Sequence, residues 1–109
     1  MPLDLPQPIA AFFAAENGND PEALSLCFAA DGVVQDEGRT LQGTTAIRQW
    51  MTEAKQKYQH TVEPLSVAER EGKTVVVARV TGQFPNSPLN LQHIFGLADG
   101  GIASLEIRI

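Results

Sequence analysis

The chain has 109 residues, 43% hydrophobic and 19% charged, which suits one folded domain with one core and excludes a disordered segment. Its net charge is −5, and its eight Lys and Arg are scattered, so there is no basic stripe to displace counterions from phosphate, and nucleic acid is excluded as a partner. The opening Met1-Pro2-Leu3-Asp4-Leu5-Pro6 has neither the basic residue of a secretory leader nor a membrane-spanning apolar run, and Cys27 has no second cysteine, so a soluble cytoplasmic protein without membrane contact is expected.

Ile9, Phe12, Phe13 and Glu16 recur at helical spacing among alanines and stop at Asn17-Gly18-Asn19, predicting a helix over about 6–17. Asp20-Pro21-Glu22 reads as an N-cap, a first-turn proline and an acid favoured by the helix dipole. Leu24, Cys27 and Phe28 then continue a second helix until Asp31-Gly32, and a short strand, Val33 to Glu37, follows. Gly43-Thr44 opens a third helix with Thr44 as its cap, and Ile47, Trp50, Met51, Ala54 and Tyr58 fall on one stripe. From there the period changes to two, predicting strands over about 61–70, 74–84, 89–98 and 102–109. Turns are expected at Gly72-Lys73 and at Asp99-Gly100-Gly101.

Helices followed by consecutive strands imply an α+β fold, a curved antiparallel sheet with helices on one face. No repeat, linker or low-complexity tract interrupts the chain, so residues 1–109 are expected to form one domain. Val75 and Val77 alternate with Val76, Ala78 and Val80, while Leu91, Phe95 and Leu97 share a face with His93. Both sheet faces thus carry apolar residues, and the outer one is expected to pack on a second copy in a homodimer.

The runs Phe28-Ala29-Ala30-Asp31-Gly32-Val33-Val34-Gln35-Asp36 and Gly43-Thr44-Thr45-Ala46-Ile47-Arg48-Gln49-Trp50, with His93-Ile94-Phe95 and the Asp99-Gly100-Gly101-Ile102 close, resemble the nuclear transport factor 2-like superfamily. Within it the chain is most similar to the SnoaL-like and ketosteroid isomerase-like branch. The resemblance covers nearly the whole chain. It implies a cystatin-like cone in which three N-terminal helices wrap the sheet around an apolar pocket, with frequent dimers. Function does not follow from the fold, which hosts isomerases, cyclases, dehydratases, hydrolases and binding modules.

The resemblance places Asp36 where those isomerases carry a general base that removes a proton next to a carbonyl. An apolar pocket near Trp50 and Met51 would raise its pKa toward a useful value. The other reading of Asp36 is a solvated or turn-capping aspartate beside Glu37-Gly38. The developing enolate needs hydrogen-bond donors fixed in advance. The helix-one position of the isomerases' tyrosine donor is Phe12, which has nothing to donate, and the strand position of their protonated aspartate is Gln92, whose amide can donate. Strand alternation puts Asn90 and Ile94 on the face of Gln92, as a wall of the pocket with Phe12, Trp50 and Met51, and it sends His93 to the opposite face as an interface or structural residue. His60, just after helix three, either approaches the pocket mouth or is exposed, and exposure is the expectation.

Two histidines 33 positions apart with no Cys cluster provide no metal-ligand spacing, and no glycine-rich phosphate loop is present, so neither metal nor cofactor is expected. The expected ligand is a small apolar or carbonyl-bearing molecule. Two functions lead: an isomerase-, cyclase- or lyase-type enzyme with Asp36 as base and Gln92 as donor, or a non-catalytic binding or dimerisation module of the same fold; a third, hydration or epoxide opening, needs a second acid and usually an arginine, and the sequence assigns neither.

Overall fold

In the computed structural model, which describes residues 3–109, the period-two region forms four consecutive strands: β3 (Thr61–Arg70), β4 (Lys73–Thr81), β5 (Leu89–Ala98) and β6 (Gly101–Arg108). They make an antiparallel meander, and the two-residue turns between β3 and β4 and between β5 and β6 place Glu71, Gly72, Asp99 and Gly100 at positive φ. The helices are α1 (Gln7–Asn17), α2 (Pro21–Ser25) and α3 (Thr44–Tyr58). Between α2 and α3 lies a hairpin of β1 (Phe28–Asp36) and β2 (Arg39–Gln42), turned at Glu37 and Gly38, both at positive φ. Met1 and Pro2, at the head of the segment read as leaderless, lie outside the described residues.

The six strands run in the order β2-β1-β6-β5-β4-β3, an open curved sheet with β2 and β3 as its edges. Every pairing is antiparallel except β1 with β6, which is parallel. Irregular register at Pro64/Ser66 in β3, and in β6 at Ala103, which has no partner between Gly96 and Leu97, bends the strands, as extra residues do. α1 lays Ile9, Phe12 and Phe13 on the concave face, where Phe12 meets Phe13, Phe28 and Phe95 edge to face at ring separations of 5.3–5.9 Å. Ile47, Trp50 and Met51 of α3 cover the same face further along. No helix among the described residues is long and apolar enough to cross a membrane.

Three local expectations are corrected. The second helix stops at Ser25 instead of running to Asp31, because the chain after Cys27 is claimed by β6: Ile102 N–H donates to Cys27 O at 2.9 Å and Phe28 registers with Ile102. The strand expected from Val33 therefore begins at Phe28, and β2 had not been expected at all. Thr44 is the first residue of α3 and not its cap; Gly43, at φ 92°, holds the cap position without any side-chain bond.

The inner face of β4 carries Thr74, Val76 and Ala78, all buried, and that of β5 carries Leu91, His93 and Phe95. On the outer face Val75, Val77 and Ile94 are half-buried, and Asn90 and Gln92 are exposed.

Candidate active site

Alternation from fully buried Val34 turns Asp36, the last residue of β1, toward the concave side, where α3 crosses it. Trp50 donates its indole N–H to Asp36 Oδ2 at 3.1 Å. Burial pushes the Asp36 carboxyl above the usual carboxylate range; the charges of Glu37 and Glu16 add to this, while the Trp50 hydrogen bond and Arg39 oppose it. Asp36 opens on a cavity of about 260 Å³ between α3, the far ends of β4 and β5, and the Phe84-Pro85 loop, with Met51, Ala54, Val80, Leu89, Leu91 and Ile107 among its apolar walls. At the mouth, Tyr58 OH donates to Glu37 Oε1 at 3.2 Å, and Phe84 meets the Tyr58 ring edge to face.

The cavity also holds a second polar group. Glu16, on the apolar stripe of α1, meets His60 at the start of β3, with Oε2 and Nε2 2.7 Å apart. Their exposures are 5% and 6%. His93 lies beside them, 2% exposed, its ring stacked on Phe95 and edge-on to Phe13. Burial pushes the His93 imidazole below its ordinary value, against the pull of Glu16 and a 3.4 Å contact with Leu91 O.

Of the residues expected in the site, Asp36, Trp50 and Met51 line the cavity. Four do not. Phe12 is buried in the aromatic core, and Asn90, Gln92 and Ile94 lie on the outer face, because β5 presents Leu91, His93 and Phe95 inward. Gln92 and Asp36 therefore sit on opposite sides of the sheet, and His93, assigned to an interface, lines the cavity with Leu89 and Leu91 of the same strand. His60, expected to be exposed, is buried. Glu16 was legible as an acid on an otherwise apolar helical stripe; His60 had no local signal. Among the described residues no three His, Cys, Asp or Glu side chains converge as a metal-ligand group.

The sequence profile of the SnoaL-like domain matches residues 9–105, nearly the full length. The chain belongs to the SnoaL-like domain family. No curated protein matches this SnoaL-like chain. Among solved structures it is similar to protein SMa1630 of Sinorhizobium meliloti, named as a candidate polyketide cyclase, with 44% identity over 96% of each chain and a TM-score of 0.92. A Catenulispora acidiphila protein with a ketosteroid isomerase-like fold, solved with trimethylamine, is 22% identical over 95% of this chain and 85% of its own, at a TM-score of 0.83. A cystatin-fold protein of Novosphingobium aromaticivorans aligns over 94% of this chain and 96% of its own at 14% identity and a TM-score of 0.79. The SnoaL-like chain thus has the cystatin-like, ketosteroid isomerase-like fold.

Proposed function

We propose that this SnoaL-like protein is an isomerase- or cyclase-type enzyme in which Asp36 removes a proton next to the carbonyl of a small, mainly apolar molecule. The observation that carries the reading is a carboxylate oriented by an indole N–H at 3.1 Å on the wall of a mainly apolar cavity. A carboxyl whose pKa is raised by burial is a stronger base than one in water, and the same burial strips water from the acceptor. The candidate polyketide cyclase at 44% identity supports this class, since ring closure of a polyketide begins by making a carbon next to a carbonyl nucleophilic.

The test uses β-tetralone, a bicyclic ketone with acidic α-protons, in deuterated buffer. Wild type exchanges its α-protons faster than buffer does, and Asp36→Asn falls by at least about a hundredfold. Exchange unchanged by Asp36→Asn ends the reading; binding of the ketone without exchange supports the non-catalytic module instead. The half-buried Val75, Val77 and Ile94 support the further proposal of a homodimer through the outer sheet face. Light scattering at micromolar concentration reads a dimer mass if it holds and a monomer mass if it does not.

A further inference from the structure

The hydrogen-bonding groups of the cavity are one-sided. Three carboxylates line it, those of Glu16, Asp36 and Glu37, and among the described residues no lysine, arginine, amide, serine or threonine side chain does. Its fixed donors are engaged within the protein: Trp50 N–H with Asp36 Oδ2, and Tyr58 O–H with Glu37 Oε1. His60 is engaged through Nε2, 2.7 Å from Glu16 Oε2, and its Nδ1 is sealed off from any open space.

His93 is the exception. Its ring is edge-on to Phe13, stacked on Phe95 and only 2% exposed, yet it lines the cavity. Nδ1 faces Leu91 O at 3.4 Å, and a carbonyl oxygen can only accept, so this contact puts a hydrogen on Nδ1. No protein group meets Nε2. The fully buried side-chain nitrogen and oxygen atoms without a partner among the described residues are Glu16 Oε1 and His60 Nδ1, and His93 Nε2 is not one of them. Unpaired, Nε2 therefore holds part of the little surface that His93 keeps, and the open space His93 borders is the cavity. Burial disfavours the doubly protonated ring, which leaves Nε2 with its lone pair. A polar atom aimed into a mainly apolar chamber is costly unless a partner meets it. No donor side chain of the cavity is free to do so, and the ligand has to bring one.

We propose that His93 Nε2 is a ligand-binding acceptor that takes the hydrogen of a hydroxyl group, and that the molecule seated beside Asp36 is a small hydroxy ketone without a carboxylate. The inference rests on the Asp36 reading for the ketone, and adds to it the hydroxyl and the absence of negative charge. A hydroxyl satisfies Nε2 without bringing charge out of water. A carboxylate would have to enter beside three acids with no cation to receive it. Stacking on Phe95 and the Nδ1 contact together fix the plane of the His93 ring. The Nε2 lone pair thus has one direction, and a single hydrogen bond to it orients a ligand that the apolar walls hold by shape alone.

The test compares three probes built on one ring system with the full-length protein: β-naphthol, which donates, 2-methoxynaphthalene, which cannot, and 2-naphthoate, which is anionic. Calorimetric titration should find β-naphthol about tenfold tighter than the methyl ether, and naphthoate weaker than either. In ¹⁵N-histidine-labelled protein, β-naphthol moves the His93 Nε2 resonance well beyond any change the ether causes. His93→Phe keeps a ring against Phe95 and removes the acceptor, so it should bring β-naphthol and the ether to equal affinity, whereas Asp36→Asn keeps the preference. Equal affinities in wild type, a preference that survives His93→Phe or is lost in Asp36→Asn, an Nε2 resonance indifferent to β-naphthol, or naphthoate binding as tightly as naphthol overturns the inference. The resonance needs no variant, so it decides the matter if His93→Phe does not fold. No arm requires turnover: a wild type that exchanges no ketone protons ends the Asp36 reading alone, and the naphthol titrations still decide the hydroxyl contact.

Discussion

His60→Leu leaves the Glu16 carboxylate 5% exposed with its 2.7 Å partner gone. Removing one member of a buried ion pair costs about 3–5 kcal/mol, because the survivor keeps its desolvation penalty and loses the attraction that offset it. A domain of this length melts about 4 °C lower per kcal/mol lost, so the midpoint should fall by roughly 12–20 °C at neutral pH. Against a total stability of about 5–15 kcal/mol, that is a large fraction of what holds the fold. Glu16→Leu alone strands an imidazole and costs less, about 1–3 kcal/mol. The double variant Glu16→Leu/His60→Leu removes both polar groups together and should lie within about 1 kcal/mol of wild type or above it. Urea unfolding of the four proteins, followed by far-ultraviolet circular dichroism, gives the coupling directly. Single costs that simply add in the double variant would refute the view that the pair is retained at no gain in stability.

Three further outcomes follow from the same geometry. Because the folded Asp36 carboxyl has a raised pKa, its ionisation destabilises the fold progressively as pH climbs from the ordinary carboxylate value through the folded one. Asp36→Asn should therefore raise the melting midpoint at pH 7 and lose that gain toward pH 3, as read by calorimetry; a gain that is largest in acid would reverse the sign of the argument. Asn17→Ala strands the Val62 N–H and C=O, costing about 1–3 kcal/mol for each, and it should broaden the His60 imidazole signals, which an unrelated surface loss would leave sharp. Gly82→Ala forces the backbone apart at Tyr58 and His60, and should cost about 1–3 kcal/mol in denaturant unfolding together with most of the exchange activity. Full activity in that variant would show that the close approach at Gly82 does not position the site.

Much of the fold was legible because its signals are local. The strands β3 to β6 announce themselves by period-two alternation and by glycine turns, and α1 and α3 by single apolar stripes. The failures are non-local. Leu24, Cys27 and Phe28 have helical spacing, yet Phe28 pairs with Ile102, far along the chain, and no local pattern reports a partner at that distance. On β5, alternation separated Gln92 from His93 correctly but could not say which set faces inward. Leu91 and Phe95 flank His93, so the larger apolar residues already marked its face as the inner one; the position matched to the isomerases' aspartate weighed against them. Glu16 carried a readable sign, an acid on a stripe with Ile9, Phe12 and Phe13. His60 carried none, since its burial follows from the left-handed Gln59 that ends α3 and from the close approach at Gly82.

The central claim is that Asp36 is the base, acting from a carboxyl whose proton affinity the cavity has raised. Carbon-13 titration of that carboxyl, run beside the pH dependence of β-tetralone exchange, tests it most directly. The account predicts one shared midpoint, above the roughly 3.9 of a free aspartate, with the rate rising as the carboxyl ionises. An Asp36 carboxyl that titrates at the ordinary value, or an exchange rate indifferent to its ionisation, would contradict it.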